Sequence, residues 1–364
     1  MELFFDLLQV SLGKKPHLNT EPSEAQWQEL FVLAEKHALV GVLFRGVEKE
    51  LQYEPHQEEK CDILYEWMGK VTILEQQNQK RLRQIIALCQ LFQDNGYKVC
   101  LLKGYSHGRY YPVPYRRVGG DIDIWVEGDR LNVVQFVTSK CKCENPVYHN
   151  IAASFFKDTL VEVHFTPSWM FNLRSNKRLQ RLFFEKYKGL FDNSVHEVPF
   201  AVPSRSFCIF HCLLHILRHL YGSGVGLRQF VDLYYLLMDS SVAERAEVLD
   251  DIKNLRMDDF VASVMYVEQV MLGMNETFVL VRPDSKKGTL LMNEVLRVGD
   301  FGRYDSRIQN NSKNTIIRTW NHILRNMQLV AICPSEALCT PLWKIWHWCW
   351  RRKFQNKCRG IVRV

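Results

Sequence analysis

A chain of 364 residues, 47% hydrophobic and 24% charged, has apolar side chains enough for a large core, which excludes a disordered or fibrous protein. No uncharged apolar run reaches the roughly 20 residues that span a bilayer, and the acidic start Met1-Glu2-Leu3-Phe4-Phe5-Asp6 lacks the basic-then-apolar pattern of a secretory signal. Eleven scattered cysteines, an odd number in a chain this long, point to reduced thiols and a cytoplasmic protein.

Residues 1–95 read as an N-terminal helical region. Trp27, Leu30, Phe31, Ala34, Ala38 and Val42 recur at helical spacing, with Gly41 as the expected divider. A second stripe runs from Cys61 to Phe92, and Asp94-Asn95-Gly96 ends it with turn chemistry. Such stripes are packing surfaces and carry no chemistry of their own.

The strands gather in residues 96–170. Lys98 to Leu102 is a mostly apolar strand that runs into Lys103-Gly104, where a glycine lets backbone amides approach a phosphate. Tyr110 to Arg117 is aromatic, proline-punctuated and basic, which predicts an ordered loop. In Gly120-Asp121-Ile122-Asp123-Ile124-Trp125-Val126 the carboxylates alternate with aliphatic residues, so Asp121 and Asp123 share one face of a strand. Two adjacent carboxylates repel, and a divalent cation is the usual counter-charge; an oxygen-rich site suits Mg2+ or Mn2+. Asp129 to Ser139 predicts a helix on the sheet. Ile151–Phe156 and Thr159–Phe165, split by Lys157-Asp158, read as a hairpin whose second strand carries Glu162 and His164 on its polar face.

Residues 171–340 read as a C-terminal helical domain. Ser204 caps a long apolar helix with His211, His215 and His219 on one side, Gly222 to Gly226 breaks it, and Leu227 to Leu237 starts the next. Cys208, Cys212, His215 and His219 have a zinc-like composition. Cys208 and His219 would nevertheless lie ~16 Å apart along a helix, too far to share one tetrahedral ion. Arg228 and Asp232, at i and i+4, fit an intrahelical ion pair; His215, His219, Arg228 and Asp232 are the alternative contacts to a base or acceptor. Residues 241–273 predict two further helices, and Gly299 to Asp305 a turn. The tail, 341–364, mixes tryptophans with Lys344, Arg351, Arg352, Lys353, Lys357, Arg359 and Arg363. These seven cations equal the whole net charge of +7. That composition suits docking of a tryptophan face on the core, an anionic membrane surface, or nucleic-acid phosphates. With the rest of the chain near neutral, a long nucleic-acid groove is not indicated.

The order Leu102-Lys103-Gly104, Tyr111-Pro112-Val113-Pro114, Arg117-x-x-Gly120-Asp121-Ile122-Asp123 and Glu162-Val163-His164 resembles the bacterial uncharacterised nucleotidyltransferase family, within the DNA polymerase β-type superfamily. The superfamily often has Gly-Ser after the first strand, whereas Gly104 is followed by Tyr105-Ser106. The resemblance implies an α+β fold, a small mixed β-sheet core flanked by helices. It implies transfer of an NMP from an NTP to an acceptor hydroxyl: a sugar or other small molecule, a tRNA end, or a protein side chain. Asp121, Asp123 and Glu162 are the expected catalytic metal ligands. Lys103, Gly104, Arg117, Gly120 and His164 are the expected nucleotide contacts. The competing readings are a nucleotide-binding protein without turnover, and an interaction protein working through its basic tail at a membrane or nucleic acid.

Overall fold

A computed structural model of the chain describes residues 1–53, 62–195, 198–309 and 315–358; Cys61, Arg359 and Arg363 lie outside the described residues. Four helices come first: α1 (Glu2–Ser11), α2 (Glu24–Lys36), α3 (Val40–Tyr53) and α4 (Asp62–Asp94). Ser23 and Gln26 form a reciprocal capping box at the start of α2. The break between α2 and α3 falls at Ala38, held at φ 55°, and not at Gly41. Gly41 is needed for another reason: a Cβ there would collide with the Arg116 carbonyl.

Six strands then form one mixed sheet: β1 (Val99–Leu101), β2 (Ile122–Val126), β3 (Asn150–Ala153), β4 (Val161–His164), β5 (Ser194–Val195) and β6 (Val198–Ala201), in the spatial order β3-β4-β2-β1-β6-β5. Between them lie the short α5 (Tyr105–Gly108), α6 (Arg130–Lys140) and α7 (Leu173–Glu185). The expected hairpin is β3–β4, paired antiparallel. The sheet continues past residue 170, where only helices were expected: β6 pairs parallel with β1, Cys100 opposite Ala201.

The alternation in the strands decides which layer each face meets. Ile122, Ile124, Val126, Val161, Val163, Val99 and Leu101 cluster with Ile85, Leu88 and Phe92 of α4 and with Val133, Val134 and Val137 of α6. Residues one step out of phase, Cys100, Leu102, Trp125 and Ala201, join the larger core instead. Trp125 packs against Phe191 in a tilted contact at 4.5 Å and lies parallel to Phe207 at 6.4 Å. Phe207 opens α8 (Arg205–Tyr221), whose first turn is capped by Ser204 Oγ accepting from the Phe207 amide at 3.3 Å. So the face of the sheet that carries Asp123 is the face α8 covers.

The helices α9 (Leu227–Met238), α10 (Val242–Leu255), α11 (Asp258–Leu272) and α12 (Ser285–Val298) build outward from α8. Four more follow: α13 (Ser306–Gln309), α14 (Thr315–Gln328), α15 (Pro334–Ala337) and α16 (Thr340–Cys358). One apolar cluster runs from Phe4 to Trp343, so the first and last helices share a core. Helix α16 does seat tryptophan on that core. Trp343 stacks on Trp169 at 4.2 Å, and Trp343, Trp346 and Trp350 surround Tyr148 at 5.3–5.5 Å. Leu342, Ile345 and Trp348 stand on its outer side, 61%, 64% and 53% exposed. Among the described residues no helix is long and apolar enough to cross a membrane.

Candidate active site

Parallel pairing of β2 with β4 sets Asp123 opposite Glu162 and Trp125 opposite His164. Because residues two apart share a face, Asp123, Glu162 and His164 converge on the side covered by α8. His164 Nε2 lies 3.0 Å from Asp123 Oδ1 and 3.3 Å from Glu162 Oε2. Lys103 Nζ, delivered by the turn after β1, lies 3.0 Å from the same Asp123 oxygen. The ligand atoms of Asp123, Glu162 and His164 all fall within 4.8 Å of one another, a donor set able to hold a divalent cation.

Sequence reasoning put Asp121, Asp123 and Glu162 together as the ligand set. The tight group instead has His164 as its third corner, and Asp121 stands exposed at the mouth, just before β2. Asp121 still feels the cluster. Partial enclosure, then the charges of Asp123 and Glu162, raise its carboxyl above the usual range. Burial also works to raise Glu162, but the His164 hydrogen bond, with Lys103 and Arg218 nearby, overrides it and holds the carboxyl far down. Burial opposes protonation of His164, and its bonds to the two carboxylates win, so its pKa rises. His164 and Lys103 are thus the counter-charges of this carboxylate pair.

Gly104 adopts φ 73°, and a Cβ there would meet nothing within 4 Å, so the glycine is required by backbone conformation and not by crowding. Ser106 turns inward and donates to the Leu102 carbonyl at 3.0 Å. A Cβ at Gly120 would also meet open space, whereas one at Gly119 would collide with Arg81.

Arg117, one of the nucleotide contacts the resemblance implies, lines the cleft but turns its guanidinium fork onto a carboxylate of α9. Its Nε and Nη2 donate to Asp232 Oδ1 and Oδ2 at 2.6 and 2.7 Å, and Tyr111 donates its hydroxyl to the same carboxylate at 2.6 Å. Burial would raise Asp232; the Arg117 charge and fork hold it far below the carboxylate range. The expected intrahelical pair of Arg228 with Asp232 is therefore not formed. Arg228 instead donates to the Val118 carbonyl at 3.0 Å and to Asp300 Oδ1 at 3.4 Å. Arg116 is equally taken, by Glu48 and Glu75.

The histidines of α8 split. His211 Nε2 donates to the Pro167 carbonyl at 3.2 Å; His215 and His219 meet edge to face at 4.3 Å, and His219 meets Ser223 Oγ at 2.8 Å. Burial drives His215 and His219 well down, helped by the cations around them, so both are neutral bases. Sequence reasoning passed over Arg218, which sits on the same helical face and whose charge acts on Glu162 and Asp123. The signal was there: position 218 is i+3 from His215.

The carboxylate cluster opens through Asp123 and Lys103 onto a cleft of about 490 Å³, lined by Lys103, Gly104, Arg117, Gly120, Asp121 and Asp123 from the sheet side. His215, Arg228, Asp300 and Phe301 come from the later helices, and Glu35 and Lys36 from α2. That volume is in the range of small-molecule sites.

The family model for uncharacterised nucleotidyltransferases matches residues 23–273, a span that contains the whole sheet, the carboxylate cluster and α8 to α11. The chain belongs to this family. No curated protein matches it. Membership supports nucleotidyl transfer in general, with a nucleotide as substrate.

Proposed function

We propose that this nucleotidyltransferase moves an NMP from an NTP to an acceptor hydroxyl. The observation that carries the reading is Asp123, Glu162, His164 and Lys103 joined at 3.0–3.3 Å beside a nucleotide-sized cleft. The acceptor oxygen bonds to the α-phosphorus, the bond from that phosphorus to the β-phosphate oxygen breaks, and pyrophosphate leaves. Glu162, held ionised, takes the acceptor proton. Lys103, the Gly104 amide and Arg218 balance phosphate charge, while the Arg117–Asp232 fork positions the Tyr110–Arg117 loop. Asp123 and Glu162, with Asp121 at the mouth, would hold Mg2+ or Mn2+, and His164 orients both carboxylates. A bound divalent cation supplies charge neutralisation and a lowered acceptor pKa. Calorimetric titration tests the binding half: wild type takes up at least one NTP in the presence of Mg2+, and Asp123→Asn loses that dependence. Equal affinity with and without the metal contradicts it.

A second, additive reading rests on α16. Its outer stripe Leu342, Ile345 and Trp348 is exposed, Arg352 lies 4.0 Å over Trp348, and Arg351, Lys353 and Lys357 are exposed beside it. Aliphatic and tryptophan side chains ringed by cations match an anionic lipid surface, where the apolar row enters and the cations stay at the headgroups.

A further inference from the structure

We propose that Phe301 is the platform on which the nucleotide base stacks. This rests on the reading of the cleft as a nucleotide site and deepens it. Phe301 is held at φ 51° and ψ 27°, the left-handed region, which disfavours a bulky side chain. Among the described residues only Ala38 and Arg256 share that sign of φ without being glycine, and Ala38 lines the same cleft. Strain of this kind persists where surroundings over-determine it, and it concentrates at functional sites.

The surroundings here are a backbone-to-backbone clamp. The turn after α8 lies directly against the Phe301 loop: a Cβ on Gly224 would come 2.7 Å from Gly302 Cα, and one on Gly226 would come 2.8 Å from Asp300 Cα. A Cβ on Gly302 would collide with the Ser223 carbonyl. Two glycine turns therefore fit only each other, and between them they hold the ring in place. The ring lines the cleft, with the Arg228 guanidinium over one of its faces, 5.2 Å from the centroid, and His219 in a T-shaped contact at 4.9 Å, so a base would stack on the face opposite Arg228. The same guanidinium donates to the Val118 carbonyl, three residues before Asp121, which ties the ring to the carboxylate strand. Lys103 and the carboxylates serve the phosphate end of a nucleotide and offer no apolar plane. Phe301 supplies one, and every base has a π face to lay on it.

Affinities of the full chain for each of the four Mg2+-NTPs and for inorganic tripolyphosphate test this. Phe301→Ala is expected to weaken all four NTPs about tenfold or more, because stacking is tolerant of base identity. It is expected to leave tripolyphosphate within about twofold, and Phe301→Trp to retain NTP affinity. Phe301→Gly, free of the left-handed penalty, is expected to melt no lower than Phe301→Ala while binding NTPs equally weakly. Unchanged NTP affinity in Phe301→Ala, or an equal loss of tripolyphosphate, overturns the platform. A wild type that binds tripolyphosphate but gains nothing from a base overturns the platform and leaves the phosphate site standing. A wild type that binds neither overturns the nucleotide reading and the platform with it.

Discussion

Arg117 and Asp232, 115 residues apart in the chain, share a forked ion pair in which both partners are buried. The fork fastens the loop before the Asp121 strand to α9, and Tyr111 adds a third bond to the same carboxylate. Removing one partner strands a buried charge, so Arg117→Ala and Asp232→Asn should each lose about 3–5 kcal/mol of unfolding free energy. The double change to Met and Leu should recover much of it. Urea denaturation of the three variants checks this, and single variants within about 1 kcal/mol of wild type would show the pair to be idle.

Glycines in and behind the cleft separate into those required by packing and those that are not. Gly302→Ala places a Cβ against the Ser223 carbonyl at φ 68° and should destabilise by about 2–4 kcal/mol. Gly120→Ala meets nothing within 4 Å and should leave stability within about 0.5 kcal/mol. A fall in nucleotide affinity in the second variant would then report on the site itself.

The parts legible in the sequence are those with local periodicity. Ile122-Asp123-Ile124 and Val161-Glu162-Val163-His164 announce their strands and their polar face, and Ser204 announces α8. The register that sets Asp123 against Glu162 comes from the parallel β2–β4 pairing, which the alternation narrows to matching faces and does not fix alone. What has no local signature was missed: the Arg117–Asp232 fork, the swing of Arg228 to Val118 and Asp300, and the two strands at 194–201. The α2–α3 break lies at Ala38 and not at the expected Gly41, because an alanine takes the left-handed turn for which glycine is the usual residue. Arg218 was hidden by its neighbours, a cation read as part of a histidine stripe.

Glu336 gives a pH signature. Its side chain is fully buried and accepts from the Phe171 and Asn172 amides at 2.6 and 3.3 Å. Burial outweighs those bonds and raises its pKa from 4.5 to about 7. A carboxyl with a raised folded pKa binds its proton more tightly in the native state. Its contribution is therefore complete below about pH 4.5 and is lost as pH rises through about 7, by about 3 kcal/mol in all. Glu336→Gln should remove that share of the decline between pH 5 and 8 in chemical denaturation curves. An unchanged slope would contradict the assignment.

The α16 reading predicts co-sedimentation with vesicles containing phosphatidylserine, weaker with phosphatidylcholine alone and falling as salt rises. Ile345→Ser with Trp348→Ser should abolish it and leave the melting temperature near wild type, since both side chains are exposed. Equal pelleting with neutral vesicles, or no loss in the double variant, would set the lipid surface aside.

The central claim is tested most directly by pyrophosphate release, measured with each of the four NTPs, Mg2+ and cell extract as acceptor source. The comparison is wild type against Asp121→Asn/Asp123→Asn. Metal-dependent release with at least one NTP that disappears in the double variant is the predicted result. Release that survives in the double variant, or no release and no binding with any NTP, would contradict it.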